Sequence, residues 1–158
     1  MSEKIVTNTS PLLTLSKMKA FDVIEKLPYE FVCPKEVEDE ILAGAGKNHD
    51  VTIPTWLKIT PLQSKVSPLS IASLDLGEAS VIQLAIEQNI KTVCIDELAG
   101  RRAAKAIGLK IVGSLGLLGK AKTLGLINEI KPLVKKAQDE GIYFDENLIS
   151  EFLSLFNE

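Results

Sequence analysis

Aromatic residues are scarce in this chain of 158 residues: one Trp, two Tyr and five Phe make up 5% of it. A surface that reads nucleic acid mainly by stacking bases on rings is therefore not expected. Cysteine is nearly absent, with only Cys33 and Cys94, each inside a hydrophobic run. His49 is the only histidine, so no zinc-type ligand spacing can be assembled. Both thiols read as reduced core residues of a cytoplasmic protein. Positive charge is not in excess either: 18 Lys and Arg against 21 Asp and Glu leave a net charge of −3. A broadly basic nucleic-acid binder is excluded, and any such binding must use a local patch. No apolar stretch approaches the ~20 residues of a membrane span, and Met1-Ser2-Glu3-Lys4 does not read as a secretory signal.

What is present is an ordinary globular balance, 46% apolar and 25% charged, in a length that suits a single domain over residues 1–158. Ile5-Val6-Thr7 reads as a short buried strand. It runs into Asn8-Thr9-Ser10-Pro11, where Thr9 or Ser10 is placed to cap a helix and Pro11 suits its first turn. Leu12 to Leu27 carries apolar residues at helical spacing, as one bent helix or two short ones. Tyr29–Cys33 follows as a strand, and Pro34 opens a helix that Gly44-Ala45-Gly46 stops. Lys47 to Asp50 reads as a polar loop. Trp56–Thr60 reads as an edge strand between prolines, and Gln63–Ser73 as the most mobile loop.

The second half keeps the alternation. Leu74-Asp75-Leu76-Gly77-Glu78 opens a helix, and Thr92 to Ile95 is a strand ending in Asp96-Glu97. A basic helix from Leu98 to Ile107 stops at Gly108, and Leu109 to Val112 is the last strand. Helical stretches follow at Ser114–Leu124, Glu129–Glu140 and Asn147–Phe156, with Asn128 and Asp145 as caps for the second and third. The glycines at 113, 116 and 119 read as small residues that permit close packing against a sheet. Strands alternating with helices predict an α/β fold with a mostly parallel central sheet.

In such sheets ligands sit beyond the carboxyl ends of the strands, where Asn8 and Asp96 are expected. Glu40 lies on the helix after the second strand, and Glu78 in the first turn of the helix before the Asp96 strand. Carboxylates converging on one crevice repel by about 4 kcal/mol per pair at ~4 Å and an effective dielectric near 20. A cation offsets that, and oxygen ligands favour Mg²⁺ or Mn²⁺. Each residue also has a plainer role: Asp75 and Glu78 form a capping-box pattern, Asp96 can cap the Leu98 helix, Asn8 the first helix, and Glu40 is one of several neighbouring carboxylates. The residues alone leave both readings open.

The ordered motifs resemble the PIN-domain family. Thr7-Asn8-Thr9-Ser10-Pro11-Leu12 is similar to the family's opening, with Asn8 where an aspartate is expected. Pro34-x-x-Val37-x-x-Glu40-Ile41, Leu74-Asp75-x-Gly77-Glu78-Ala79 and Ile95-Asp96-Glu97-x-x-Gly100-Arg101-Arg102 resemble its later acidic motifs. The tail from Gly113 to Lys122, with Gly125-Leu126-Ile127, resembles a subgroup of unknown function close to VapC-type toxins. The resemblance implies a three-layer α/β/α PIN-like fold and a metal-dependent endoribonuclease that leaves 3′-hydroxyl and 5′-phosphate ends. It implies that Asn8, Glu40, Glu78 and Asp96 hold Mg²⁺ or Mn²⁺, with Thr9, Ser10 and Glu97 supporting them. Arg101, Arg102 and Lys105 are the expected RNA contacts, although a solvated basic helix face accounts for them equally well. A small antitoxin protein and a second copy of the chain are the implied partners. The alternative is a catalytically degenerate PIN domain that binds RNA or protein, motivated by the charge that Asn8 lacks.

Overall fold

The computed structural model describes residues 2–44, 51–68 and 73–158. The helix stop at Gly44-Ala45-Gly46 is described only at Gly44, and the Lys47–Asp50 loop with His49 lies outside the described residues, as do positions 69–72 of the Gln63–Ser73 loop. Five strands are described: β1 (Glu3–Thr7), β2 (Tyr29–Cys33), β3 (Leu57–Ile59), β4 (Thr92–Cys94) and β5 (Lys110–Val112). Eight helices are described: α1 (Thr9–Lys17), α2 (Phe21–Glu25), α3 (Lys35–Gly44), α4 (Leu76–Glu87), α5 (Leu98–Ala106), α6 (Ser114–Thr123), α7 (Lys131–Asp139) and α8 (Glu146–Leu155). The region after Pro11 is thus two helices rather than one bent helix.

The strands form one sheet in the order β3-β2-β1-β4-β5, and every pairing is parallel. This is consistent with the expected three-layer α/β/α class, with a sheet parallel throughout. Burial explains the order. Ile5 and Val6 of β1 and all of β4 are buried, as central strands of a parallel sheet require. The outer strands β3 and β5 are partly exposed, so Trp56–Thr60 does supply an edge. Both cysteines are buried, and burial, helped by Glu38, pushes the Cys33 thiol up to about 12, far from a reactive thiolate.

The sequence of strands reverses direction between β1 and β4, which makes their junction the switch point where an open parallel sheet leaves a crevice. Thr7 pairs with Cys94, and the Asn8 amide donates to the Cys94 carbonyl at 3.0 Å. Asn8 and Asp96 therefore leave neighbouring strands at the same end of the sheet. The helix α4 packs against β1, β4 and α3, bringing its first turn to that end.

Contacts divide the chain into two compact units. One holds Met1–Leu13 and Pro28–Ser114, and includes the whole sheet. There α5 ends as a Schellman motif: Gly108, at φ +85°, donates to the Lys105 carbonyl, and Leu109 donates to that of Ala104. The early part of the 63–73 loop is fastened to α4, because the amides of Gln63 and Ser64 donate to the Glu87 carboxylate at 2.8 and 3.2 Å.

The other unit holds Thr14–Leu27 and Leu115–Glu158. Asp145 caps α8 as expected, accepting from the Leu148 amide at 3.0 Å. Asn128 does not cap α7, which starts later at Lys131. The Glu158 carboxylate accepts from the amides of Ile130 (2.8 Å) and Lys131 (2.8 Å) and from the Lys122 ammonium (2.8 Å). Gly119 lies against Phe156 and Phe152, so its lack of a side chain serves a helix contact rather than a sheet. Among the described residues no helix is long and apolar enough to cross a membrane.

Candidate metal centre

The crevice gathers its polar groups from four places in the chain. Asn8, at the end of β1, is 4% exposed. Its Oδ1 and the Oε1 of Glu40, from α3, both crowd the space beside Gly77, where a Cβ would lie 3.3 Å from the Asn8 oxygen and in collision with the Glu40 carboxylate. A side chain at position 77 would push the Glu40 carboxylate from its place. Gly100 does the same for Glu78: a Cβ there would stand 2.7 Å from Glu78 Oε2 and 2.9 Å from Ile95 Cγ2. Gly113 does it for Asp96, at 2.7 Å from Oδ1. Three glycines thus make space for the side chains at all four positions expected to hold a metal.

Glu78 is the most buried carboxylate of the group, at 3% exposed. The capping box foreseen in the sequence is real: Asp75 Oδ1 accepts from the Glu78 amide at 2.7 Å, and the Asp75 amide donates to Glu78 Oε1 at 3.3 Å. That uses one oxygen. The other, Oε2, is buried without a hydrogen-bond partner among the described residues. An ionised oxygen held this way is costly unless protonated or bound to a cation. Capping and metal binding are compatible roles, one for each oxygen.

Asp96 does not cap the Leu98 helix, whose N-cap residue is Glu97 with no side-chain cap bond. Its Oδ1 accepts from the Ser114 amide at 2.8 Å and its Oδ2 from the Ser114 hydroxyl at 2.9 Å, so the two oxygens are oriented by the start of α6. Thr9 and Ser10 also differ from their expected capping roles. Thr9 is itself the first residue of α1, and its Oγ1 is buried without a hydrogen-bond partner among the described residues. Ser10 Oγ donates to Glu97 at 2.9 Å.

The electrostatics suit a site able to hold a cation. Glu40, Glu78 and Asp96 all have their carboxyls raised above the ordinary range, in each case first by burial. The Asp75 amide opposes the rise at Glu78, and Ser114 with Arg101 opposes it at Asp96. The charge of Glu97 adds to it at all three. A carboxylate oxygen from each of Asp75, Glu78 and Glu97 lies within 4.8 Å of the others. This cluster can bind a metal ion, and it differs in membership from the set read off the motifs, sharing Glu78 alone.

Arg101, Arg102 and Lys105 are exposed on α5 and line one open depression of about 460 Å³ with Leu98, Leu109 and Ile111. Arg101 is the member that also acts on Asp96.

A parallel sheet with acidic side chains at its switch point offers a potential divalent-metal centre. A family model described as a PIN domain matches residues 4–158, and the chain belongs to that family. PIN domains generally use divalent metals and bind RNA. A search of curated proteins returned no match.

Proposed function

We propose that the chain is a single PIN-like domain over residues 1–158 acting as a Mg²⁺- or Mn²⁺-dependent endoribonuclease, weakened by Asn8. The observation that carries this reading is the buried Glu78 oxygen without a partner, in an acidic cluster at the switch point of the sheet. The residues fit a hard cation: every donor is an oxygen, and Glu78 offers one that is buried without a hydrogen-bond partner among the described residues. Glu40, Glu78, Asp96 and the side-chain carbonyl of Asn8 would hold it, with Thr9, Ser10 and Glu97 as support. A bound divalent ion supplies an activated water and neutralises the phosphodiester.

The chain's own groups do the rest. Arg101, Arg102 and Lys105 hold the phosphates of the strand, with the guanidinium groups suited to paired hydrogen bonds. A carboxylate of the crevice takes the proton from the attacking water, whose oxygen bonds to phosphorus. The bond from phosphorus to O3′ breaks, and a proton returned from that carboxyl through water completes the 3′-hydroxyl, leaving a 5′-phosphate. The family resemblance further supports a toxin of a toxin–antitoxin pair, working in the cytoplasm as a homodimer and held in check by a small antitoxin protein. Asn8 favours one other reading, an RNA- or protein-binding module that has lost catalysis.

The test is manganese-dependent cleavage of total RNA by the wild-type chain and by Asn8→Asp. Cleavage by both, faster for the variant, is expected. Inactivity of both folded proteins on several RNA pools would overturn the nuclease reading in favour of the binding module.

A further inference from the structure

We propose that Glu97, beyond supporting the ligands named above, supplies the metal-binding carboxylate that Asn8 does not and joins Glu78 on the divalent cation, with Asp75 beside them. This deepens the metal-dependent reading above and rests on it. The argument starts from charge. Asn8 offers a carbonyl oxygen and no negative charge, whereas Mg²⁺ and Mn²⁺ sites are built around carboxylates. The crevice has not lost acidity, because Glu97 and Asp75 each place a carboxylate oxygen within 4.8 Å of Glu78 and of each other.

The same turn that lacks the charge holds its replacement. Ser10, two residues beyond Asn8, donates its hydroxyl to Glu97 at 2.9 Å and fixes one carboxylate oxygen. Such a bond orients a ligand and leaves its second oxygen for a cation. Asp75 is held on the other side through its bond to the Glu78 amide. Glu78 completes the cluster, and its Oε2 is buried without a hydrogen-bond partner among the described residues, an oxygen that a cation would satisfy. Oxygens on one such cation stand about 3 Å apart when adjacent and about 4 Å apart when opposite, given bonds of ~2.1 Å. Asp75 and Glu97 are both exposed, so small side-chain rotations close the remaining gap. Asp96 accepts from Ser114 through both oxygens, and each keeps a lone pair for a cation.

The experiment is Mn²⁺ binding to the full chain, read from the electron paramagnetic resonance signal of free Mn²⁺, with RNA cleavage followed in parallel. Four proteins are compared: wild type, Glu97→Gln, Asn8→Asp, and the two substitutions together. Glutamine keeps an acceptor for Ser10, so the change removes charge and little else. Affinity is expected to fall at least about tenfold in Glu97→Gln and to return in the double variant, where Asp at position 8 makes Glu97 dispensable. Unchanged affinity in Glu97→Gln, or a double variant no better than Glu97→Gln, would overturn the proposal while leaving a cleaving wild type as a nuclease. A wild type that binds Mn²⁺ through Glu97 yet cleaves no RNA would support the site and overturn the nuclease reading. No Mn²⁺ binding by the wild type would overturn both.

Discussion

Asn8→Asp is the perturbation that most directly exposes the state of the crevice, because it returns a charge to a position that is 4% exposed. An uncompensated buried charge costs about 3–5 kcal/mol. Repulsion from Glu40, whose oxygen shares the space beside Gly77, is worth up to about 4 kcal/mol at ~4 Å and an effective dielectric near 20, and is screened because Glu40 reaches solvent. A net loss of about 3 kcal/mol in the absence of metal is the reasonable expectation. For a chain of this length that lowers Tm by about 6–12 °C.

Two controls fix the cause. The new carboxyl is raised in the folded state, so the native protein holds its proton longer than the unfolded chain. The penalty is absent where both states are protonated and accrues as pH climbs from about 4 through the folded value. Manganese acts in the opposite sense: a tenfold tighter site gains about 1.4 kcal/mol more than the wild type at saturating metal, closing roughly half the gap. Scanning calorimetry at pH 8 and at pH 3–4, with and without Mn²⁺, reads all of this. Equal stability of the two proteins at pH 8 without metal would refute the reasoning. So would a loss that neither acid nor Mn²⁺ relieves.

Ser114→Ala removes the hydroxyl bond to Asp96 while leaving the amide bond, and is expected to cost about 1–2 kcal/mol in urea unfolding at pH 7, with a smaller loss in acid where Asp96 is protonated. An unchanged midpoint would mean that Ser114 does not orient this carboxylate. Glu158 titrates in the other direction. Burial raises its carboxyl, but the amides of Ile130 and Lys131 and the Lys122 ammonium outweigh that and hold it low. Its stabilisation is therefore present above the unfolded value and lost as pH falls through the folded one. Glu158→Gln should destabilise by about 1 kcal/mol at neutral pH and by nothing near pH 3. A difference that persists in acid would contradict the charge-assisted cap.

Local signals carried most of the fold. Apolar periodicity placed the strands and helices, the prolines around Trp56–Thr60 marked an edge, and Gly108 marked the end of α5. The capping box at Asp75 and Glu78 was visible because its partners stand three residues apart. What sequence missed were side-chain bonds between distant elements. Ser10 meets Glu97 across 87 positions, Asp96 meets Ser114 across 18, and Glu158 takes from Asn128 the task of capping α7. No local period encodes such pairs; only the parallel crossovers bring them together. Gly113 shows the same limit, since its spacing suggested packing while its place beside Asp96 makes it part of the crevice. Glu97 stood inside a matched motif, yet its approach to Glu78 depends on where α4 and α5 begin relative to β4.

The central claim is that the carboxylates of this crevice hold a divalent ion that cuts RNA. Single-turnover cleavage of an end-labelled RNA by the wild type and by Glu78→Gln, with Mn²⁺ and with chelator, tests it most directly. The expected result is metal-dependent cleavage by the wild type with 5′-phosphate and 3′-hydroxyl ends, and its loss in Glu78→Gln. Cleavage that survives either the chelator or the substitution would contradict it.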